Sequence, residues 1–156
     1  MNGTAWLFLF CLFVGWLVAR RTSGTASTAG RMVNIHGHGG DRPTIAIHEA
    51  GHVAGALGVG GKVLSATMTD TTGLVRAKVP DAKTAITFLA AGAAAAGTKR
   101  GADHDEAEIR RTLREFPRDQ RTQVEREARA DASRIVRSRA AAIRRDAARL
   151  DERGRL

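Results

Sequence analysis

The residues available to build a hydrophobic core are mostly small. Aromatic residues make up 4% of the 156 residues and tyrosine is absent, whereas alanine is abundant. Small side chains bury enough apolar surface only when the elements that carry them approach closely, as helices rich in alanine do. The sequence therefore predicts a mainly α fold of the α+β type, with a core no larger than one small domain.

An uncharged apolar segment lies near the N-terminus. Residues 5–19 read AWLFLFCLFVGWLVA, and with Gly3 and Thr4 the uncharged span reaches 17 residues. At ~1.5 Å per residue this is about 25 Å of helix, a little less than a hydrocarbon core of about 30 Å. Arg20 and Arg21 follow the segment and nothing basic precedes it, the reverse of the charge order in a cleaved signal peptide. We therefore expect an N-terminal transmembrane helix, a single-pass anchor in the cell membrane, with the following residues on the cytoplasmic side.

A Gly-, Ser- and Thr-rich segment follows this anchor. Such a composition cannot bury enough apolar surface to fold alone, so a flexible linker is expected, in which His36 and His38 are loop residues rather than metal ligands. The expected organisation is an anchor at 1–21, a linker at 22–43, a folded core at 44–116 and a charged helical region at 117–156.

Turn and cap residues predict the elements of the core. Proline in a first turn and glycine after a last turn mark helix ends, and alternating apolar residues around a polar turn mark a hairpin. These signals predict a helix from Thr44 to the glycines at 58–61, a short β-hairpin of residues 62–69 and 74–79, a buried Ala-rich helix over 82–96, and a helix ending near Phe116. From Arg118 to Arg153 the pattern predicts one long amphipathic helix or a helix pair, which covers the Ala-rich helix or pairs with another subunit.

Charge and cysteine content exclude some classes of protein. The formal net charge is +9, and the region from Lys99 onward holds 17 basic and 12 acidic residues. Because both signs alternate along predicted helix, a solvated helical face is favoured over a nucleic-acid surface, and lipid headgroups are a weak candidate partner. Cys11 is the single cysteine, so an intramolecular disulfide is excluded.

Residues 48–52, HEAGH, match the pattern H-E-x-x-H within a predicted helix. Residues four apart lie on one helical face, so His48 and His52 can bind one zinc ion while Glu49 reaches the metal-bound water. Zinc lowers the pKa of that water toward ~7 and polarises a carbonyl, and the glutamate takes the proton during attack. This spacing predicts a catalytic zinc site.

A catalytic zinc site usually needs a third protein ligand and one open position. The downstream candidates lie in GADHDEAE at residues 101–108, where Asp, His and Glu side chains could all bind zinc. Asp103 and Asp105 could instead cap the following helix. From the residues alone, these two interpretations are about equally supported.

The chain from Thr44 to about Leu113 resembles the peptidase domain of the FtsH-type membrane zinc metalloproteases. The resemblance rests on HEAGH at 48–52, TGLV at 72–75, AAGAAAAG at 90–97 and GADHD at 101–105, in the family's order and approximate spacing. It implies His48, His52 and Asp105 as zinc ligands and Glu49 as general base. It also implies that the segment Leu74–Val79, with Leu74, Val75 and Arg76 at its start, is an exposed edge strand that pairs with an extended substrate.

The sequence departs from that family in two respects. It contains no G-x-x-x-x-G-K-[ST] phosphate loop, so the family's ATP-driven unfolding motor is missing. Ala93 and Ala96 stand where the family has Arg and Glu. We therefore expect an ATP-independent zinc endopeptidase that cuts flexible or unfolded proteins, either as a homo-oligomer or with a separate partner that presents the substrate.

Two alternatives stay open at this point. A soluble or secreted peptidase of another small H-E-x-x-H type would take His104 or Glu108 as third ligand. A non-catalytic, membrane-anchored helical adaptor would use its Arg-rich C-terminal region for binding, with a degenerate or structural metal site. A structural site would be closed by four protein ligands.

Overall fold

The structure, a computed structural model, describes residues 30–38, 40–98 and 102–156. Five helices and a small antiparallel sheet of three strands make up these residues, which confirms the mainly α fold. In chain order the elements are β1 (Arg31–His38), α1 (Arg42–Gly58), β2 (Lys62–Met68), β3 (Thr72–Val79), α2 (Ala82–Ala96), α3 (Asp103–Leu113), α4 (Arg121–Ser138) and α5 (Ala140–Arg153).

The ends of the two central helices follow from their cap residues. The Asp41 side chain accepts a hydrogen bond from the Thr44 backbone N–H at the start of α1, where Pro43 lies in the first turn. Asp81 and Thr84 form a reciprocal capping box at the start of α2. Gly97 ends α2 in the left-handed conformation, with φ of 65°, which glycine adopts without strain.

Helices α1 and α2 pack through small residues, as the composition predicts. A Cβ added at Gly51 would lie 2.6 Å from the Ala91 carbonyl oxygen and from the Ala95 Cβ, and one at Gly55 would lie 2.7 Å from the Ala91 Cβ. Phe88 and Leu89 of α2 are buried in the same core. The close approach of the two backbones provides the contact that large side chains provide elsewhere.

The predicted hairpin is formed by β2 and β3, but the sheet contains a third strand. The prediction of a flexible linker over 22–43 is wrong for residues 31–38, which form β1. Val33 and Ile35 of β1 are buried and alternate with exposed residues, a period-two pattern that was hidden within a segment judged by its average composition.

The prediction that residues 74–79 form an exposed edge strand is also wrong. The strand order is β1-β3-β2, and β3 pairs antiparallel with both neighbours. Leu74 lies opposite His36 of β1 and Thr67 of β2, so both sides of this strand are already hydrogen-bonded. The edge strands are β1 and β2.

The C-terminal region is the helix pair, not one long helix. Helix α4 packs on the Ala-rich α2, which confirms the covering role, and α5 packs on α1. Buried Ala128 and Ala132 of α4 and Leu150 of α5 belong to the same hydrophobic core as the sheet. Residues 154–156 continue along β2, where Met68 N–H donates to the Gly154 carbonyl and Leu156 N–H to the Ala66 carbonyl.

The membrane anchor predicted at residues 1–21 lies outside the described residues. Among the residues that the structure describes, no helix combines the length and apolar character needed to cross a bilayer.

Candidate metal centre

Helix α1 carries the three residues of the H-E-x-x-H pattern into the core. His48, Glu49 and His52 are 4%, 0% and 0% exposed. The two imidazoles lie one helical turn apart, and their Nε2 atoms are 3.0 Å from each other. The spacing predicted from the sequence therefore brings both rings to one point.

Asp105 completes this cluster from helix α3. Its Oδ2 atom lies 2.9 Å from His48 Nε2 and 3.2 Å from His52 Nε2, although 57 residues separate Asp105 from His48. Among the described residues, these three side chains are the group whose ligand atoms lie within 4.8 Å of one another. The structure thus brings together the three residues that the sequence analysis named as ligands.

The other downstream candidates for a third ligand lie elsewhere. The His104 ring packs edge-to-face against His36 of β1, with 5.9 Å between ring centroids. Glu106 accepts hydrogen bonds from Arg129, and Glu108 forms an ion pair with Arg111. These contacts leave Asp105 as the carboxylate that faces the histidines.

The capping interpretation of the two aspartates is wrong. Helix α3 begins at Asp103 with Ala102 in the N-cap position, where no side-chain hydrogen bond caps the helix. Asp103 and Asp105 therefore lie inside the first turn, and the Asp105 side chain is buried.

The donor set fits a divalent metal ion. Two ligand atoms at about 2.0–2.1 Å from a tetrahedral zinc lie about 3.3 Å apart, close to the separations within this cluster. The Nδ1–H of His52 donates to the Phe88 carbonyl at 2.9 Å, which leaves Nε2 as the free ligand atom. Asp105 Oδ1 is buried without a hydrogen-bond partner among the described residues, as expected of a group whose partner is an ion. Two imidazoles and a carboxylate are a donor set that binds divalent metals, so this cluster could hold a metal ion.

The charges of the ligands are coupled. Burial lowers the pKa of His48 despite its hydrogen bond to Asp105, which favours the neutral imidazole that binds metals. Burial would raise the pKa of Asp105, but the neighbouring His52 and His48 outweigh this effect and lower it well below its usual range. Asp105 is therefore ionised, and a bound cation would compete with a proton for the same three atoms.

Glu49 points into the same region but is not a ligand. Both of its carboxylate oxygens are buried without a hydrogen-bond partner among the described residues. Burial raises the pKa of Glu49 to about 7. A buried carboxylate without partners is costly, so the fold retains here a group whose proton affinity suits transfer near neutral pH.

Two glycines that the sequence analysis did not single out provide the space for these side chains. A Cβ added at Gly92 of α2 would lie 2.5 Å from His52 Nε2 and 2.7 Å from His48 Nε2. A Cβ added at Gly73 of β3 would lie 2.4 Å from Glu49 Cδ and Oε1. The glycine in AAGAAAAG and the one in TGLV were visible in the sequence, but their function depends on contacts between distant elements.

Helix α3 is fastened to the C-terminal region by an ion-pair network. Arg129 of α4 donates two hydrogen bonds to Glu106, at 2.9 and 2.6 Å, and two more to Glu125. Glu106 follows Asp105 directly, so α4 helps to hold the helix that supplies the third ligand. No sequence pattern in residues 117–156 predicts this role.

The residues expected to bind substrate are near the centre but covered. Gly73 touches Glu49, and Leu74, Val75 and Arg76 follow it along β3. Val75 is 0% exposed, and β1 lies along the side of β3 that would otherwise be open. A substrate cannot pair with β3 while β1 is in place.

No protein-family model matches this sequence, and a search of curated proteins returned no match. The resemblance to FtsH-type peptidases therefore depends on the sequence motifs alone.

Proposed function

We propose that this protein is a zinc-dependent, ATP-independent endopeptidase that cuts flexible or unfolded proteins, similar in its chemistry to the peptidase domain of FtsH-type proteases. One observation carries the proposal: the buried carboxylate of Glu49, with no hydrogen-bond partner among the described residues, lies beside a cluster of two histidines and an aspartate. A purely structural metal site does not require such a carboxylate.

His48, His52 and Asp105 would hold the zinc ion. A metal held by these three residues would supply Lewis-acid chemistry, polarising the substrate carbonyl and making water a better nucleophile. The described residues supply three ligands rather than the four that close a structural site. This count favours the enzyme over the adaptor with a structural metal.

Glu49 would act as the general base and then as the general acid. With its pKa raised to about 7 by burial, the carboxylate can accept a proton from the attacking water and later donate it to the departing amine. Its position one residue after His48 keeps it adjacent to the metal on the same rigid helix. The backbone of Gly73 lies against the Glu49 carboxylate and limits its position on the side of the site that faces β3.

His48, Glu49, His52 and Asp105 are each at most 4% exposed as whole residues. A substrate can therefore reach the site only after part of the protein moves. Strand β1 pairs with β3 in a register that places Gly37 opposite Gly73, the residue in contact with Glu49. We assign β1 the role of an intramolecular strand that a substrate replaces. Leu74, Val75 and Arg76 would then pair with the substrate by β-augmentation.

The test is cleavage of an unfolded model protein by the purified full-length chain with added zinc. We expect Glu49→Gln to keep one zinc per chain and to lose about 10²–10⁴-fold in rate, the usual contribution of a general base. Asp105→Ala should lose zinc and activity together. Glu108→Gln, which alters a candidate ligand that lies outside the cluster, is the matched control and should change neither quantity.

Two results would contradict the proposal. If Glu49→Gln cuts as fast as the wild type, the glutamate is not the base. If the wild-type chain binds zinc and cuts no flexible protein, the non-catalytic adaptor is the better interpretation.

A further inference from the structure

The sheet presents one face to solvent, opposite the face that packs on the helices. Its strands contain no aspartate or glutamate, so all 16 acidic residues of the sequence lie outside them. We call this surface the outer sheet face; its residues are Met32, Asn34, His36, Lys62, Ser65, Thr67, Leu74, Arg76 and Lys78. Leu64 lies beside this face, at the register shift between Val63 and Ser65 on the β2 edge. Its ionised side chains at neutral pH are therefore basic.

Two lysines of this face lie directly opposite each other. Lys62 of β2 pairs in register with Lys78 of β3, an arrangement of like charges that destabilises a sheet. Neither lysine forms an ion pair with a carboxylate of the described residues. Arg76, two residues away, donates a hydrogen bond to the neutral side chain of Asn34. The positive charge of this surface is therefore not neutralised within the described part of the chain.

Apolar side chains are exposed among these charges. Met32 and Leu64 are 49% and 46% exposed, two of the four large apolar residues exposed in the described part of the chain. The other two, Leu57 and Leu156, lie with Leu64 in a groove at the β2 edge. Its charged lining consists of Arg149, Arg153 and Arg155 with one carboxylate, that of Asp146. Exposed apolar residues surrounded by arginine and lysine are typical of surfaces that lie on lipid.

The entry point of the chain lies at the lysine end of this face. A Cβ added at Gly30 would lie 2.9 Å from two carbons of the Lys78 side chain. The ten residues 20–29 span at most about 36 Å even when fully extended. A chain anchored through residues 5–19 would therefore keep the lysine end within that distance of the membrane surface.

We infer that the outer sheet face docks on a membrane that contains anionic lipids. Lys62, Arg76 and Lys78 would contact the headgroups, and Met32 and Leu64 would enter the interface between headgroups and acyl chains. The metal centre lies on the opposite, helix-covered side of the sheet, so docking would leave it facing away from the bilayer. This inference does not depend on peptidase activity.

Other occupants fit this face less well. A single-stranded nucleic acid binds through aromatic stacking platforms, and the three strands contain no Phe, Tyr or Trp. A second copy that docked face to face would bring its own lysines against Lys62 and Lys78, which opposes association.

The experiment compares the reactivity of lysines in the full-length chain reconstituted into vesicles. Vesicles of phosphatidylcholine alone are compared with vesicles that also contain anionic phosphatidylglycerol. An amine-reactive acetylating reagent is applied, and mass spectrometry gives the labelling rate of Lys62 and Lys78 relative to Lys83, which lies on α2 in an ion pair with Glu127. Flotation of the protein with the neutral phosphatidylcholine vesicles measures membrane binding through the N-terminal segment separately.

We expect the relative labelling of Lys62 and Lys78 to fall roughly five-fold or more in the anionic vesicles. One basic residue near an anionic surface increases the affinity for the membrane by about that factor. High salt should restore the labelling. Arg76→Glu should weaken the protection, whereas Arg118→Glu, with the same change of charge on an exposed segment outside the sheet, should not.

Three results would overturn the inference. Equal labelling in the two kinds of vesicle would show that the face does not dock on anionic lipid. Equal protection of Lys83, or an equal effect of Arg118→Glu, would show general adsorption of a basic protein. Protection by RNA, or with rising protein concentration, in the absence of lipid would show that the occupant is a nucleic acid or a second copy.

Discussion

The contact between helices α1 and α2 differs from the contact of helix α5 with the same core. At the first interface, Gly51, Gly55 and Gly92 leave no room for an added methyl group. At the second, larger side chains such as Ile143 and Leu150 fill the space and are buried. The two histidines of the candidate metal centre lie at the interface built from backbone contact. We therefore expect added atoms to impair metal binding most at the first interface. Removed atoms should lower the free energy of unfolding most at the second.

The largest effect is expected for Gly92→Ala. Its added Cβ would lie 2.5–2.7 Å from the Nε2 atoms of both histidines, where the metal would be bound. We expect zinc binding and cleavage to be lost together, measured as zinc per chain and as rate on an unfolded protein. Gly51→Ala is the matched control, because it crowds the same two helices without touching the imidazoles. If folded Gly92→Ala binds as much zinc as the wild type, the added Cβ does not block the metal position.

Gly73→Ala should separate metal binding from cleavage. The added Cβ would overlap the Glu49 carboxylate, which must then move, while the ligands on α1 and α3 are not touched. We expect zinc content to be unchanged and the rate of cleavage to fall about 10²-fold or more, as for a displaced general base. Loss of zinc in this variant would instead indicate that β3 supports the ligands themselves.

A cross-link between β1 and β3 tests whether β1 must leave. Asn34 and Arg76 are cross-strand partners on the outer sheet face, so cysteines at both positions, with Cys11→Ser, are close enough for a disulfide. We expect the oxidised protein to keep zinc but to cut at least about ten-fold more slowly, and a reductant to restore the rate. Asn34→Cys with Cys11→Ser is the control. Full activity of the oxidised protein would mean that substrate reaches the site with β1 in place.

The smallest effect on the metal centre is expected for Leu150→Ala, which removes atoms from the second interface. A fully buried leucine typically contributes about 2–5 kcal/mol to the free energy of unfolding. Urea unfolding should show this loss, while zinc content and cleavage in the folded state stay unchanged. Leu156→Ala, at a leucine that is 45% exposed, should change stability by less than about 0.5 kcal/mol.

Local sequence signals predicted much of the fold. Pro80 and Asp81 at the start and Gly97 at the end predicted the bounds of α2, because helix ends depend on a few neighbouring residues. The hairpin of β2 and β3 followed from alternation around a short turn. Strand β1 was missed because its short alternating pattern lies within a segment judged by its average composition. Its pairing with residues about 40 positions away is not encoded by any local signal.

The candidate site was predictable to a different extent for each residue. His48, Glu49 and His52 share one helix, so their spacing alone determined their relation. Asp105 could not be chosen from its neighbours by chemistry, and the resemblance to FtsH-type peptidases selected the residue that the structure places beside the histidines. The importance of Gly73 and Gly92 could not be predicted, because it depends on which side chains from other elements lie against them.

The hydrogen bonds between residues 154–156 and β2 have a consequence for self-association. They occupy the free edge of β2 over residues 66–68, and the pairing of β2 with β3 shifts register between Val63 and Ser65. Such an irregular, partly paired edge is a poor template for a strand from another molecule, whereas β1 lies at the other end of the sheet. Molecules that met through their β1 strands would form a closed two-fold pair and would leave no second edge from which a filament could grow.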